Sequence, residues 1–277
     1  MPDPNYYFEI KPKNSFSLNL KELVEYKELF YFFTWRDVKV KYKQTALGFL
    51  WAILQPLIMM VIFTIFIGRA MNVASEDMEY PVFAFSGLIL WTVFSSGITN
   101  AGNSMVTNAQ IIKKIYFPRL VIPISSILVS VFDFFIAFLV FIILLITYQQ
   151  PFDLIGALVL WPIALFVTVI ATFGPGCLLA ALNVKYRDFR YVIPFFVQAL
   201  LFLTPVIYPI SIVSNVWLKY ALAINPMYAA ITLFRMPMMN SFPDIALLSI
   251  SLLSGIIFFV IGLTYFRKTE MYFADLA

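Results

Sequence analysis

A chain of 277 residues in which 62% are hydrophobic, 18% aromatic and only 12% charged lies outside the composition of soluble domains and belongs with helical proteins that cross a membrane several times. Its 19 Lys and Arg against 15 Asp and Glu give a net charge of +4, and histidine is absent, which excludes Ser-His and Cys-His nucleophile pairs, histidine acid–base work and histidine-containing zinc sites. The single cysteine, Cys177, sits in an apolar run as a packing residue, and no Gly-x-x-x-x-Gly-Lys-Ser/Thr loop occurs, so an ATPase that drives this protein would be another chain.

Residues 1–20 carry prolines without periodicity and are predicted to be an irregular cytoplasmic lead-in. The polar start and the late first apolar run, some 48 residues in, argue against a cleavable signal peptide. With Ser17 or Asn19 as candidate cap, Leu20, Leu23, Val24, Tyr26, Leu29, Phe30 and Phe33 then recur at helical spacing against Lys21, Glu22, Glu25, Lys27 and Glu28. That is the pattern of an amphipathic helix lying in the bilayer interface. Four cations follow, Arg36, Lys39, Lys41 and Lys43, directly before residues 49–67, a run of 19 without a charge. Cations so placed stay cytoplasmic and orient everything downstream.

The first crossing, 49–67, holds Gln55 and Pro56 near its middle, where a proline is expected to kink the helix or open its ladder. An acidic outer loop with Glu76, Asp77 and Glu79 leads to the second crossing, 82–103, whose Thr92, Ser96, Thr99 and Asn103 share one face. Such a stripe either joins helices or lines a hydrated path. Residues 104–119 are too short and too charged to cross, and Lys113, Lys114 and Arg119 place them inside. The third crossing, 120–148, spans 29 residues and is expected to tilt, or to bend near Pro123. It contains Asp133, the one acid inside an apolar run. An intramembrane acid points to function by default, yet the reading favoured is structural, a carboxyl protonated or hydrogen-bonded to a neighbouring helix.

The fourth crossing, 154–182, contains Gly174-Pro175-Gly176, expected to interrupt regular helix. An inner loop with Lys185, Arg187, Asp188 and Arg190 precedes the fifth crossing, 191–208, which ends at Pro205 and Pro209. Residues 210–243 are apolar at 216–224 and 228–234 but broken by Lys219, Asn225-Pro226 and Arg235. Each piece is too short to span, so a re-entrant pair of half-depth helices is predicted. The sixth crossing, 245–266, ends at Arg267 and Lys268. The fold class is therefore an all-α membrane protein of six transmembrane helices with an amphipathic N-terminal interface helix. Residues 1–48 form the cytoplasmic lead-in, 49–266 the transmembrane domain and 267–277 a cytoplasmic tail. Eight cations before residue 48, three in 104–119, three in 183–190 and two after 266 put sixteen of the nineteen inside, which predicts that both termini are cytoplasmic.

Residues 36–57, RDVKVKYKQTALGFLWAILQPL, combine the basic lead with Tyr-x-Gln-Thr-x-Leu-Gly and Trp-x-x-x-x-Pro. With Asn-Ala-Gln-Ile-Ile-Lys-Lys-Ile-Tyr-Phe-Pro-Arg at 108–119, Lys-Tyr-Arg-Asp-Phe-Arg at 185–190, Thr-Pro-Val-Ile-Tyr-Pro at 204–209, Asn225-Pro226 with Arg235, and Arg-Lys-Thr-Glu-Met-Tyr-Phe at 267–273, the chain resembles the ABC-2 permeases that export bacterial surface polysaccharides, the O-antigen, capsule and teichoic acid exporters. The resemblance runs from about residue 30 to the end. It implies a homodimer with two copies of a separate ABC ATPase subunit, which binds ATP and Mg so that this chain needs no cofactor. It also implies a multi-pass place in the bacterial inner (plasma) membrane, a lipid-linked polysaccharide as cargo, and no nucleic-acid partner. Carried over by position, Asn108, Gln110, Ile111, Lys113, Lys114, Tyr116 and Arg119 would couple to the ATPase, although periodicity alone fits a helix on lipid headgroups equally well. Arg36, Lys39, Lys41 and Lys43 would form the interface lead, and Tyr42, Phe49, Trp51, Trp91, Phe94 and Tyr208 would line an aromatic channel at the dimer axis. Asn225 and Pro226 would form a gate in the broken segment.

Two other functions share parts of this pattern. An ABC-2 permease for a small drug or lipid has the same topology but usually lacks the basic Tyr-x-Gln-Thr-x-Leu-Gly lead and the broken segment. A membrane enzyme acting on lipid-linked sugars is disfavoured by the missing histidine and by the lack of paired acids at a crossing's end. The topology is tested with single cysteines in a Cys177→Ser background and an impermeant maleimide on intact cells, or on spheroplasts where an outer membrane is present. Residue 75 should label and residue 277 should not; the reverse result would overturn the orientation.

Overall fold

The computed structural model describes residues 20–43, 45, 47–71, 73, 75, 77–186, 188–240, 242–270 and 273. The lead-in with its Ser17 or Asn19 cap, Gln44 of the basic motif, Glu76, Arg187 and most of the tail lie outside the described residues. The described chain is helical. Helix α1 (Leu20–Glu25) stops at Tyr26 and α2 (Lys27–Lys43) continues. Phe33, Val38 and Tyr42 of α2 are buried, whereas Tyr31, Phe32, Trp35 and Val40 are exposed. The segment thus packs part of its apolar surface on the bundle and leaves large apolar side chains exposed, as an interface helix does.

Helix α3 (Leu50–Phe63) stays α-helical through Pro56 and passes into a π-helical segment, Thr64–Ala70. The ladder changes its pattern about two turns after Pro56 rather than at it. A proline removes one ladder donor, and Pro56 is itself buried, whereas the wider π turns sit where Gly68 must pass the Tyr80 ring, whose carbon a Cβ would meet at 2.7 Å. Helix α4 (Tyr80–Thr107) is the centre of the molecule: 78% of its most apolar 18-residue window is buried, against 17% for the first crossing. It is flanked by α3 and by α6 (Val121–Thr147), α7 (Leu154–Lys185), α8 (Phe189–Leu203) and α10 (Met227–Arg235). A one-turn helix, α5 (Ala109–Ile112), separates α4 from α6. Pro123 lies in the first turn of α6, a position that costs no ladder bond.

Helix α7, capped by Asp153 whose carboxylate accepts from Ile155 N at 3.1 Å and Gly156 N at 2.9 Å, continues unbroken through Pro162 and Pro175. This corrects the interruption expected at 174–176. Proline at 175 costs one backbone bond, while ending the helix inside a membrane would strand several more. The two glycines serve packing instead. A Cβ on Gly262 of α11 (Ile245–Glu270) would stand 1.9 Å from the Gly174 carbonyl oxygen, and one on Gly174 would stand 2.5 Å from Phe259 Cα. At this point α7 and α11 touch backbone to backbone, as small residues allow between membrane helices.

Five of these helices are long and apolar enough to cross a membrane: Leu50–Ala70, Tyr80–Thr107, Val121–Thr147, Leu154–Lys185 and Ile245–Glu270. The segment expected as the fifth crossing forms α8, only 15 residues, about 22 Å at the usual rise. It ends at Leu203 because Thr204 turns extended before Pro205. The broken segment holds two short helices, α9 (Val216–Ala223) and α10, joined at Asn225-Pro226. Residues 104–119 are not one helix: 104–107 finish α4, α5 is a single turn and the remainder is irregular.

Replacing Gly262 by alanine should push α7 and α11 apart and cost about 1–3 kcal/mol, the range for overpacking. Gly255→Ala, whose Cβ meets only Pro226 Cβ at 3.3 Å, should cost less. Thermal melts of both variants in detergent check this; equal melting temperatures would mean that the close crossing is not constraining.

Candidate functional site: a polar cavity and an exposed basic knuckle

A cavity of about 490 Å³ opens between α3, α4 and α8. The stripe on α4 supplies its polar wall through Thr92, Ser95, Ser96, Thr99 and Asn100, with Gln55 from α3 and Gln198 from α8 opposite. The hydroxyls of Thr92 and Thr99 donate to the carbonyls of Leu88 and Ser95 one turn back, each at 2.8 Å, and Ser96 donates to Thr92 O. Each hydroxyl proton is thereby satisfied within the helix while the oxygen can still accept a bond from water or a sugar hydroxyl. Asn103, one turn further along the same face, has the other function open to it: Asn183 Nδ2 donates to Asn103 Oδ1 and to Gly102 O, both at 3.0 Å, joining α7 to α4. The stripe therefore divides into a part that lines the cavity and a part that joins helices.

Lys41 and Asp133 both reach this cavity. Asp133, only 4% exposed, accepts from Lys41 Nζ on one oxygen and from the Tyr42 hydroxyl on the other. The intramembrane acid is thus hydrogen-bonded to a neighbouring helix, and the partner that periodicity could not name is the basic lead. Burial, reinforced by the Asp133 bond, pushes the Tyr42 phenol well above its ordinary pKa. The other lead cations diverge: Arg36 donates to Asn108 Oδ1 at 2.8 Å and pairs with Asp37, Lys39 stands over the Trp35 ring at 5.3 Å, and Lys43 is exposed.

The six candidate channel rings separate in the same way. Trp51, 50% exposed, and Trp91 line the cavity. Phe49 is 51% exposed and lies 4.4 Å from the Tyr42 ring. Tyr42 and Phe94 are buried within the protomer, Phe94 packing on Trp91 at 5.3 Å. Tyr208 donates back to Phe202 O at 3.0 Å.

At the basic end, the segment after α4 forms a knuckle. Ile112 and Phe117 are buried and anchor it, Phe117 against Phe33 of α2 at 5.6 Å. Gln110, Lys113 and Lys114 are exposed, as are Ile115 at 63% and Tyr116 at 74%. Ile115 was not singled out by sequence; its exposure beside Tyr116 gives the knuckle an apolar tip between lysines. Asn108 and Arg119 face inward, Asn108 to Arg36 and Arg119 to Glu270 of α11, whose Oε1 accepts from Arg119 N at 3.2 Å. Ile111 is half-buried.

At the opposite end, Asn225 caps α10 by accepting from Met227 N at 3.0 Å and donates to Thr204 Oγ1 at 2.6 Å. Ser251 of α11 donates to Asn225 O at 2.8 Å and accepts from Ala229 N at 2.9 Å. The backbone groups freed at Asn225-Pro226 are therefore met by protein. Arg235, 4% exposed, donates to Ser86 Oγ, Pro205 O, Phe83 O and Val206 O at 2.6–3.1 Å, with its guanidinium 3.6 Å from the Phe83 ring centre. It pins α10 to the first turns of α4 and to the tail of α8, a role that charge counting alone did not suggest.

The chain is similar over most of its length to characterised permeases. It is 32% identical over 243 residues to the O-antigen export system permease protein RfbA of Klebsiella pneumoniae, covering 87% of this chain and 92% of that one. A second Klebsiella pneumoniae RfbA is 31% identical over 263 residues, covering 94% and 99%. The polysialic acid transport protein KpsM of Escherichia coli is 23% identical over 244 residues, covering 85% and 91%. The profile of the ABC-2 type transporter family matches residues 28–239, and this multi-pass membrane chain belongs to that family.

Proposed function

We propose that the chain is the membrane-spanning permease subunit of an ATP-driven exporter that moves lipid-linked or lipid-terminated polysaccharide, O-antigen-like, across the bacterial inner membrane. The observation that carries this reading is the 31% identity to an O-antigen export permease over 94% of the chain, joined to a cavity whose polar wall suits sugars. The cavity supports a glycan path because its hydroxyl and amide acceptors are many and weak, and the half-exposed Trp51 ring can lie against the C–H faces of sugars without trapping them. ATP hydrolysis falls to a separate ATPase chain that binds ATP and Mg. Two copies of each make the complex, since the half-exposed faces of α3 and α8 can close the open cavity only against another surface.

Six crossings with both termini cytoplasmic are part of the proposal. The short α8 completes the fifth together with residues 204–208, and α9 and α10 form a re-entrant pair that gates the outer end at Asn225-Pro226. The knuckle at 113–116 docks in the ATPase. Its tip suits this role because exposed apolar residues beside lysines give an anchor flanked by charge, while buried Ile112 and Phe117 keep it from sliding. Movement there passes to α2 through Arg36–Asn108 and Phe33–Phe117, and from α2 to the cavity through Lys41 and Asp133.

Ile115→Asp combined with Tyr116→Ala alters two exposed side chains and should leave the fold intact. Loss of two central anchors of about 2 kcal/mol each should reduce copurification of the ATPase more than tenfold and abolish surface polysaccharide in a complementation assay. Undiminished ATPase recovery would remove the docking assignment.

A further inference from the structure

At the end of the molecule opposite the basic lead, a second cavity of about 240 Å³ opens among the tail of α8, α9, α10 and the start of α11. Two cations line it, Lys219 from α9 and Arg235 from α10, together with the hydroxyl-bearing side chains of Ser211, Tyr228 and Thr232. One acid, Asp244, also lines it, and its carboxylate caps α11 by accepting from Ala246 N at 2.9 Å and Leu247 N at 3.4 Å. The charged groups at the cavity thus sum to a positive excess, and the acid is directed towards a helix start. Arg235 donates to Ser86 Oγ and to the carbonyl oxygens of Phe83, Pro205 and Val206, which orient its guanidinium at the inner wall of the recess.

The surroundings are apolar and outward-facing. Phe242, which lines the cavity, is 88% exposed, and Trp217 on α9 is 84% exposed. Val216 and Ile245 are exposed beside them. Rings and aliphatic side chains around a cationic, hydroxyl-lined recess match the level of a bilayer where acyl chains give way to phosphate. The half-buried Lys219 is placed to lay its stem along apolar surface with its ammonium at the polar level.

We propose that this cavity binds the phosphate of an anionic phospholipid headgroup, with the Lys219 ammonium at the phosphate, Thr232 donating a hydroxyl, Arg235 lining the recess behind them and the acyl chains running past Trp217 and Phe242. The recess has room for a phosphate-sized group with water. The site is independent of the cargo and does not rest on the polysaccharide reading. Its consequence is mechanical. A bound lipid braces α9 and α10, the same short helices that meet at Asn225-Pro226.

The test is hydrogen exchange of the α9 amides in nanodiscs of phosphatidylglycerol and of phosphatidylcholine. The anionic lipid should slow α9 exchange about fivefold relative to the zwitterionic one, the factor expected for one interfacial cation at an anionic surface. Lys219→Gln should remove that difference and Lys219→Arg should keep it. Amides around Lys39 and Lys43 should respond to phosphatidylglycerol in all three proteins, which shows that the loss is local and that the variants are folded. Equal α9 exchange in the two lipids, or an unchanged difference in Lys219→Gln, would overturn the site. In detergent, millimolar inorganic phosphate should give no protection; protection by phosphate alone that depends on Lys219 would make the ligand a soluble anion and overturn the lipid assignment.

Discussion

A carboxyl group cannot lie among hydrocarbon side chains without partners, and Asp133 takes both of its partners from α2. Much of the basic end depends on that constraint. Removing one member of a buried pair costs about 3–5 kcal/mol, and although the 39% exposure of the Lys41 side chain lowers that figure here, the Tyr42 hydroxyl adds a buried bond to the same carboxyl. The interface helix is therefore fixed at its C-terminal end to α6 and, through Phe33 on Phe117 and Arg36 on Asn108, to the knuckle. Lys41 and Asp133 also line the polar cavity, so α2 is in contact with both the knuckle and the cavity.

The opposite end is held by a second buried charge. Arg235 draws α10, the first turns of α4 and the tail of α8 to one point. Phe234 beside it stacks on Trp161 at 5.6 Å and lies 5.2 Å from Phe141, so α6 and α7 join the same knot. Between the two ends, α4 is packed on nearly every side and α7 meets α11 at Gly174 and Gly262. Against a body so tied, α3, α8 and α9 are the loosely covered elements, the kind that opens at lowest cost.

Apolar runs, the clustering of cations and the polar stripe on α4 were legible in the sequence because each depends on local periodicity or on charge counting. The motifs led to the right family for the same reason: they are contiguous. What was not legible depends on which helices become neighbours. Pro175 reads as a breaker until α11 is seen against Gly174, and Arg235 reads as a cation that breaks an apolar run until the carbonyls of Pro205 and Val206 are found around it. Asp133 could be recognised as needing a partner, but Lys41 and Tyr42 lie about ninety positions away. The stripe of Thr92, Ser96, Thr99 and Asn103 served both of the uses open to it, and only Asn183 across from Asn103 shows where one ends and the other begins.

If Asp133 transmits motion from the knuckle to the cavity, then export and ATPase binding must separate when it is altered. The direct measurement is surface polysaccharide, together with ATPase recovered on the purified permease, for Lys41→Gln, Asp133→Asn and the two combined. Each single change should lower export about tenfold at unchanged ATPase recovery, and the pair should lower it no further, as expected for two residues acting through one contact. Export at the parent level in Asp133→Asn, or losses that multiply in the double variant, would contradict a tether between α2 and α6.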